Sequence, residues 1–363
     1  MTSHNNSQEK LNIQEAIKRQ TEIDIKKEIE INGAIYKKNA KIGYSTIDHK
    51  GHLKIVSIMN YLQDAASEHA SIMGVSGFDL AEKNLGWVIS RYHIRIKNHP
   101  LWQDTMQIRT FRFPHKNLYE MRNITMGKLI KPTRFKPYDL NHENDKGDYH
   151  CIVSDKEKNT DTDTGASNFF SESIHAKVCW VMVNRENGKP VRLSRFIEPQ
   201  MCEPLSETTF VNLYRDMNDR KYMDKRDNSD ENAKIDHYYF SNIEKPVKTD
   251  FELPFKVRMH DLDLNGHVNN AIFVEWAVET MPEKILSCYS PEIIDVIFNK
   301  ESLYGDTVIS KTEIYQNRCS SEPNCPSPLT RHVIVRQKDQ AELAHINITW
   351  CPDKKITDLV KSI

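Results

Sequence analysis

The sequence lacks three features that mark membrane, nucleic-acid-binding and disulfide-rich secreted proteins. Its 363 residues include no run of about 18 apolar residues, which a transmembrane helix needs. The formal net charge is −1, so there is no basic surplus for binding nucleic acid. The seven cysteines are scattered and form no Cys-x-x-Cys pair. We therefore expect no membrane insertion, no nucleic-acid partner and no metal, and we assign no cofactor.

Residues 1–32 also lack the marks of a sorting signal. They contain no apolar core of a secretory signal, and acidic residues such as Glu9, Glu15 and Asp24 are atypical of an organelle transit peptide. We expect a polar N-terminal tail over residues 1–32. Together with the scattered, odd-numbered cysteines, this composition predicts a cytoplasmic protein with reduced thiols.

What the sequence does contain is a weak internal duplication. Ile47-Asp-His-Lys-Gly-His-Leu53 precedes one helical pattern, and Leu262-Asp-Leu-Asn-Gly-His-Val268 precedes another. Each helix is followed by a strand-like stretch with a matching turn, Trp102-Gln-Asp-Thr-Met106 in the first half and Tyr304-Gly-Asp-Thr-Val308 in the second. The order of strand, loop, helix and several strands therefore occurs twice, which predicts two similar halves.

The spacing of apolar residues predicts the main elements. In the first half a stripe at intervals of three and four predicts a helix that packs on a sheet, and its members are Ile55, Met59, Leu62, Ala66, His69 and Met73. Period-two alternation predicts strands. The strands lie at Trp87–Lys97, Thr105–Phe113, Ala176–Val183, Ile293–Phe298, Thr307–Tyr315, His332–Gln337 and Glu342–Trp350.

Two polar stretches interrupt this plan. Two segments, from about residue 131 to 172 and from about residue 214 to 238, are rich in Asp, Asn, Lys and Thr, so they are predicted to be surface insertions or disordered loops. The resulting domain organisation is a tail (1–32), an N-terminal half (33–213), a polar linker (214–244) and a C-terminal half (245–363).

The segment from Asp261 to Asn270 concentrates polar residues next to a helical pattern. If its backbone were extended, Asp263, Asn265 and His267 would project together. A helix is predicted to begin at Val268, so these groups would meet the free N–H groups and positive dipole end of that helix. Such an arrangement suits thioester hydrolysis, where an oxyanion must be stabilised and a water molecule must lose a proton.

Two structural interpretations compete with this one. Asp261-x-Asp-x-Asn-Gly matches the start of a calcium-binding EF-hand loop. The twelfth position of that loop should be Glu and is Ile272 here, and the preceding segment alternates like a strand. The polar residues could also be turn and capping residues alone.

The run Asp261-Leu-Asp-Leu-Asn-Gly-His-Val-Asn-Asn270, followed by Trp276 and Glu279, resembles the signature of acyl-ACP thioesterases. Ile58-Met-Asn-Tyr-Leu-Gln-Asp-Ala-Ala66 and Trp87-Val-Ile-Ser-Arg91 are similar to the first half of that family. The resemblance implies an α+β fold of two hot-dogs in tandem, each a long helix wrapped by an antiparallel β-sheet. It implies hydrolysis of fatty acyl-ACP to free fatty acid and ACP. It covers about residues 33–130, 173–213 and 245–352.

The same resemblance implies the catalytic residues. The family's Asp, Asn, His and Glu correspond to Asp263, Asn265, His267 and Glu301, and a position that is often Cys is Ser302 here. That difference favours water activated by Glu301 with His267 over a thiol nucleophile. Asn265 and backbone N–H groups near Val268 would hold the thioester oxygen, and Asp263 would orient the set.

Comparison of the two halves predicts one active site per chain. Lys50 aligns with Asn265 and His99 aligns with Glu301, so the first copy lacks two members of the set. We expect the first half to supply the acyl tunnel instead. The predicted substrate-binding residues are Met59, Leu62, Ala66, His69, Trp87, Val268 and Asn269.

The predicted partners are acyl carrier protein and a fatty acyl chain. Because acyl carrier protein is acidic, we consider Arg91, His93, Arg95 and Lys97 as a docking face, with a plain solvated strand face as the alternative. An acyl-CoA thioesterase and a non-catalytic acyl-binding hot-dog remain alternatives, whereas Asn265 argues against a dehydratase. Chain-length preference stays open, as does the choice between monomer and homodimer.

Overall fold

The computed structural model describes residues 35–115, 117–130, 169–196, 240, 242–316 and 327–353. The predicted tail, the stretch 214–238 and most of the first polar insertion lie outside the described residues. The last part of that insertion is described and belongs to a strand that begins at Phe169, so its predicted end at residue 172 is too late.

Within the described residues, ten antiparallel strands form one continuous sheet in the order β1-β3-β4-β5-β2-β7-β10-β9-β8-β6. All seven strands predicted by alternation are confirmed. The strands are β1 (Ile35–Lys41), β2 (Leu85–Ile96), β3 (Thr105–His115), β4 (Tyr119–Ile130), β5 (Phe169–Asn184), β6 (Phe251–Lys256), β7 (Tyr289–Phe298), β8 (Thr307–Gln316), β9 (Pro328–Arg336) and β10 (Glu342–Pro352).

Four described helices accompany the sheet: α1 (Ile55–Ile72), α2 (Gly77–Ala81), α3 (Asn270–Glu279) and α4 (Glu283–Cys288). The predicted stripe of α1 is confirmed, because Met59, Leu62, Ala66 and His69 are buried. Helix α3 begins at Asn270 rather than Val268, since Asn269 is its N-cap and accepts the Ala271 N–H.

The duplication predicted from sequence is present in the topology. Read from its outer edge to the centre, the first half has the order β1-β3-β4-β5-β2, and the second half has the matching order β6-β8-β9-β10-β7. The halves meet where β2 pairs with β7, and His93 Nδ1 lies 2.8 Å from Asp295 Oδ1 at that junction. The α+β tandem hot-dog is therefore built around a single shared sheet.

The hydrophobic core lies between this sheet and helices α1 and α3. Tyr92 and Ile94 of β2 are buried in it, whereas Arg91, His93 and Arg95 lie on the opposite face, as alternation predicts. On that outer face His93 pairs with Asp295 and Arg91 stacks on Phe240, while Lys97, at the end of β2, pairs with Glu172. The docking role considered for these basic residues stays a prediction.

In the first half of strand β4 the apolar residues Tyr119 and Met121 are out of phase with the core residues Ile124 and Met126, and periodicity did not predict this strand. Its inward positions there are Glu120 and Arg122, which are 2% and 5% exposed. Charged residues at buried positions are rare, so a search for apolar alternation passes over such a strand.

Candidate active site

The segment between Leu262 and Val268 forms a tight turn closed by a pair of β-bridge partners. The Asp263 N–H donates to the His267 carbonyl at 2.7 Å, and the Gly266 N–H donates to the Asp263 carbonyl at 3.0 Å. Gly266 has φ +74°, a left-handed conformation that glycine adopts without strain. The expectation of an extended backbone here is wrong, and the Leu264 side chain in this turn is 64% exposed.

Hydrogen bonding, not strand alternation, brings the polar side chains together. Asp263 Oδ1 accepts the backbone N–H of Asn265 at 2.8 Å and of His267 at 3.2 Å. Asn265 Nδ2 lies 3.4 Å from Asp263 Oδ2. The Asp263 carboxylate therefore stabilises the turn and also contacts the side-chain amide of Asn265.

A loop from the end of β7 lies against this turn and delivers Glu301. His267 and Leu303 form an isolated antiparallel bridge, and the Val268 N–H donates to the Ser302 carbonyl at 3.0 Å. The exposed Glu301 side chain lines the same cleft as Asp263, Asn265 and His267. Residues more than thirty positions apart in sequence are thus held at one site by backbone pairing.

Ser302 does not face this cleft. Its side chain is fully buried, and its Oγ donates to Asp306 Oδ2 at 3.1 Å. Burial raises the pKa of Asp306, but hydrogen bonds from Lys338, the Leu303 N–H and Ser302 outweigh that effect and leave the pKa lowered. Ser302 therefore helps to fix the Glu301 loop and is not in the position of a nucleophile.

The N-terminus of α3 offers fewer free N–H groups than the sequence suggested. The Val268 N–H is used by Ser302, and the Asn269 N–H donates to the Asp261 carbonyl at 2.8 Å. The Asn270 N–H has no acceptor among the described residues, and Asn270 lines the cleft. The backbone donor expected near Val268 is therefore best supplied by Asn270.

The cleft has a volume of ≈500 Å³ and is lined by both halves. Of the predicted substrate-binding residues, Trp87 and Val268 line it. Met59 and Leu62 lie in the closed core instead. Ala66 lines a smaller cavity behind the cleft, His69 is buried beside that cavity, and Asn269 is the cap of α3.

Several lining residues were not identified from sequence. Gln63, Ser67 and Ser71 come from the polar side of α1 and recur every four residues. Residues four positions apart lie on the same face of a helix, so the sequence contained a signal for this polar stripe. Phe273 and Trp180 also line the cleft, but nothing in their local sequence distinguishes them from core residues.

The calcium-loop interpretation is not supported by the geometry of Asp261. The Asp261 carboxylate is 1% exposed and is held by the Arg258 side chain, with Oδ1 2.7 Å from Arg258 Nη2. Because it pairs with Arg258, the Asp261 carboxylate does not join Asp263 as a ligand for a cation. Within the described ranges, no group of three or more His, Cys, Asp or Glu side chains could hold a metal ion, and no helix is long and apolar enough to cross a membrane.

The first half contains the same turn with different side chains. Asp48 Oδ1 accepts the N–H of Lys50 at 2.8 Å and of His52 at 2.9 Å, as Asp263 does in the second half. Lys50 Nζ, however, pairs with Asp353 at 2.7 Å, and the ring of His99 stacks on His52 at 4.8 Å. This copy has the scaffold of the site without the amide and the carboxylate.

Two halves of matching topology, joined through one sheet and carrying an Asp-Asn-His turn beside a Glu loop, define a double hot-dog protein. Family models agree with this class. Residues 33–128 match the acyl-ACP thioesterase N-terminal domain and residues 244–352 match the acyl-ACP thioesterase C-terminal domain. The two segments together cover more than half of the chain, and the chain belongs to the acyl-ACP thioesterase family.

Individual relatives are distant. An oleoyl-acyl carrier protein thioesterase of Arabidopsis thaliana is 22% identical over 71% of this chain and 57% of its own length. A dodecanoyl-[acyl-carrier-protein] hydrolase of Cinnamomum camphora is 20% identical over 92% of this chain and 71% of its own length. The chain thus spans little more than half of the first of these relatives.

Solved structures support the fold. A 12:0-ACP thioesterase from Umbellularia californica superimposes with a TM-score of 0.57 at 16% identity, covering 88% of this chain and 95% of that chain. An acyl-ACP thioesterase from Bacteroides thetaiotaomicron gives a TM-score of 0.57 at 16% identity, with 88% of this chain and 98% of that chain covered. The predicted fold is confirmed.

Proposed function

We propose that this protein hydrolyses the thioester of fatty acyl-ACP to free fatty acid and ACP. The observation that carries the proposal is the meeting of Asp263, Asn265, His267 and Glu301 at one cleft between the halves. The family to which the chain belongs, and the names of its relatives, support ACP as the carrier of the acyl group.

In the proposed mechanism Glu301, together with His267, takes a proton from a water molecule that attacks the thioester carbonyl. The tetrahedral intermediate then collapses, the C–S bond breaks, and the same proton passes to the sulfur of the departing ACP thiol. Glu301 is suited to this because its side chain is exposed in the cleft while its loop is fixed by the Val268–Ser302 hydrogen bond. General-base catalysis of this kind contributes about 10²–10⁴-fold in rate. Ser302 is buried and bonded to Asp306, away from the cleft, which favours water as the attacking group.

The developing oxyanion needs donors that are already in position. Asn265 Nδ2 and the Asn270 N–H are two donors carried by residues that line the cleft beside Glu301, and the positive end of the α3 dipole acts in the same direction. Asp263 orients the Asn265 amide through the 3.4 Å contact with Oδ2. Loss of one oxyanion donor in related acyl-transfer chemistry costs roughly 10²–10³-fold in kcat.

The decisive experiment measures thiol release from acyl-ACPs and from acyl-CoA esters of the same chain lengths, using purified wild-type protein and Glu301→Gln. We expect turnover of acyl-ACP, with kcat lowered about 10²–10⁴-fold in Glu301→Gln. Faster turnover of the CoA esters would support the acyl-CoA alternative. Binding of acyl chains without turnover would support the non-catalytic alternative.

We also propose that the protein works in the cytoplasm as a monomer or homodimer. Support for the compartment comes from the odd number of scattered cysteines, and Cys179, Cys288 and Cys351 are free among the described residues. Fractionation of cells that express the tagged full-length chain tests the compartment, and sedimentation of the purified protein tests the oligomeric state.

A further inference from the structure

The position of Glu301 is set through its backbone. Within the described residues, no hydrogen bond or ion pair holds the Glu301 carboxylate, which is the group that takes the proton in the proposed mechanism. The carbonyl of the next residue, Ser302, accepts the Val268 N–H at 3.0 Å. The Glu301 carbonyl itself accepts a hydrogen bond from Arg336 Nη1 at 3.2 Å. The direction in which the carboxylate points therefore depends on these two backbone contacts.

The guanidinium of Arg336 is fixed by the hairpin between β9 and β10. Arg336 is the last residue of β9, and its backbone N–H donates to the Ala341 carbonyl at 2.9 Å. Its Nε and Nη2 lie 3.0 and 2.9 Å from the two oxygens of the Asp339 carboxylate. The hydrogen bond from Arg336 lowers the pKa of Asp339 to about 2, so this carboxylate is ionised at neutral pH. One edge of the guanidinium is thus held within the hairpin, and Nη1 lies against the Glu301 loop.

Neutralising Asp306 does not explain why an arginine stands at this position. The Asp306 carboxylate accepts the Leu303 N–H in the Glu301 loop, and Lys338 Nζ lies 2.7 Å from its Oδ1. Arg336 Nη1 lies 3.7 Å from Asp306 Oδ2, which is farther than its 3.2 Å contact with the Glu301 carbonyl. Lys338 therefore supplies the nearer cation for Asp306, and the loop backbone is the nearer of the two partners of Nη1.

The first half has a different residue at the matching place. The turns that precede β3 and β8 are copies, so Asp104 corresponds to Asp306. Two residues after each aspartate, the strand pairs with Lys128 in the first half and with Arg336 in the second. Lys128 Nζ lies 2.8 Å from Asp104 Oδ2, and within the described ranges it makes no bond to the backbone of the preceding loop. The scaffold therefore needs only a cation beside this aspartate, and the bond to the Glu301 carbonyl is particular to the half that carries the base.

An arginine can make these contacts together and a lysine cannot. A guanidinium presents its donors as a rigid planar fork, whereas the ammonium of a lysine is a single point of charge on a flexible stem. Arg336 uses one edge of the fork for the Asp339 carboxylate and its remaining nitrogen for the Glu301 carbonyl. Arg336 does not line the cleft, so it acts from behind the loop. Misplacement of a catalytic group by about 1 Å can cost about 10²-fold in rate, so a contact that fixes this loop affects catalysis measurably.

We propose that Arg336 is a positioning residue, which holds the Glu301 carbonyl and thereby keeps the Glu301 carboxylate where it can take a proton from the attacking water. The inference rests on the proposed function, because it concerns the base of that reaction. The guanidinium contacts neither the substrate nor the reacting atoms. Its effect passes through Glu301, so loss of Arg336 should slow the chemical step without weakening substrate binding.

Two substitutions of Arg336 separate a positioning role from a purely structural one. Arg336→Gln removes the charge and the fork, so it should lower kcat on acyl-ACP about 10- to 100-fold and leave KM within about twofold of wild type. Arg336→Lys installs the residue type of the first half, which keeps the charge near Asp306 and Asp339 but not the fork. It should keep a urea midpoint near that of wild type and still lose at least about tenfold in kcat. If Arg336 only neutralised these carboxylates, Arg336→Lys would retain full activity.

A double variant shows whether the effect passes through Glu301. Glu301→Gln has already lost the base, so adding Arg336→Gln should slow it by less than about a further twofold. Two groups that acted independently would instead give losses that multiply. Single-turnover rates, with enzyme in excess over acyl-ACP, measure these slow variants.

Lys128→Gln is the matched control, because it removes the cation at the corresponding strand position of the first half. It should keep wild-type kcat and KM, whatever its urea midpoint. Wild-type kcat in folded Arg336→Gln, full activity in Arg336→Lys, multiplying losses in the double variant or an equal loss of kcat in Lys128→Gln would each overturn the positioning role. If Arg336→Gln does not fold, Arg336→Lys and its double variant with Glu301→Gln decide. A wild-type protein that hydrolyses no acyl-ACP would instead overturn the proposed function.

Discussion

The carboxylate of Asp263 accepts the backbone N–H of His267 at 3.2 Å, and the carboxylate of Asp48 accepts the backbone N–H of His52 at 2.9 Å in the same way. The two turns are structural copies, and only one lies beside an Asn and a Glu. An aspartate at this position therefore has a structural task in both halves. A catalytic role is expected only for Asp263, in the second half. Comparing variants of Asp263 and Asp48 therefore separates the structural role of this aspartate from its catalytic role.

Asp263→Asn should lose most of its activity while the fold is retained. The Asn side-chain oxygen can still accept the N–H groups of Asn265 and His267, so the thermal midpoint should change little. The negative charge that orients the Asn265 amide is removed, so kcat on acyl-ACP should fall by at least about tenfold.

Asp48→Asn is the matched control for that variant, because it makes the same exchange in the first-half turn. It should keep wild-type kcat and show a similarly small change in the thermal midpoint. Equal losses of activity in Asp48→Asn and Asp263→Asn would show that the carboxylate acts only through the turn.

Ser302→Ala should keep kcat within a few-fold of wild type. The hydroxyl is buried and donates to Asp306, so its loss should lower the free energy of unfolding by about 1 kcal/mol without removing a group from the cleft. Urea unfolding and steady-state rates measure the two effects. A loss of activity comparable to that of Glu301→Gln would reinstate Ser302 as a participant in the chemistry.

The Lys50–Asp353 pair should be strongly coupled in stability. Both side chains are about 10% exposed and lie 2.7 Å apart, so Lys50→Met leaves a poorly solvated carboxylate and should cost roughly 3 kcal/mol. The double variant Lys50→Met/Asp353→Leu should recover much of that loss. Urea unfolding of the two single variants and the double variant gives the coupling energy, and additive losses would contradict it. Activity should survive in any variant that folds, since neither residue lines the active-site cleft.

Stability should fall as the pH drops below about 6.5, and His332 should contribute to this. Burial lowers the pKa of His332 from 6.5 to about 3, and its ring nitrogens lie 2.7 and 2.8 Å from the hydroxyls of Thr312 and Thr330. Between these two pH values the unfolded chain binds a proton that the folded chain does not. The free energy of unfolding therefore decreases with falling pH, by up to about 1.4 kcal/mol per pH unit for this group, and is unaffected above the unfolded pKa.

His332→Gln should therefore show a shallower loss of stability between pH 7 and pH 5 than the wild type, whatever its stability at pH 7. Urea midpoints at several pH values measure the slope. An identical slope in the two proteins would mean that His332 takes no part in the acid sensitivity.

The elements of this fold follow closely from local patterns. Period-two alternation located β2, since Tyr92 and Ile94 are apolar and Arg91 and His93 are not, and a sheet with one buried face imposes that order directly. Strand β4 was not predicted by alternation, because the charged residues Glu120 and Arg122 occupy its inward positions. Alternation identifies a strand by the apolar residues on its buried face. Glu and Arg are seldom buried, so a strand with these residues on its inward face is not recognised.

The sequence by itself determined the duplication, the elements within each half and the residue types of the candidate site. Each of these depends on a local pattern, in which the informative residues lie only a few positions apart. Tertiary structure alone decided how the site is assembled. The turn at Asp263 depends on side-chain to backbone hydrogen bonds, and Glu301 reaches it through pairing between distant segments. The buried network of Arg112, Glu120, Arg122 and His69 arises because β3, β4 and the end of α1 converge, a contact set by sheet order and register and absent from any local pattern.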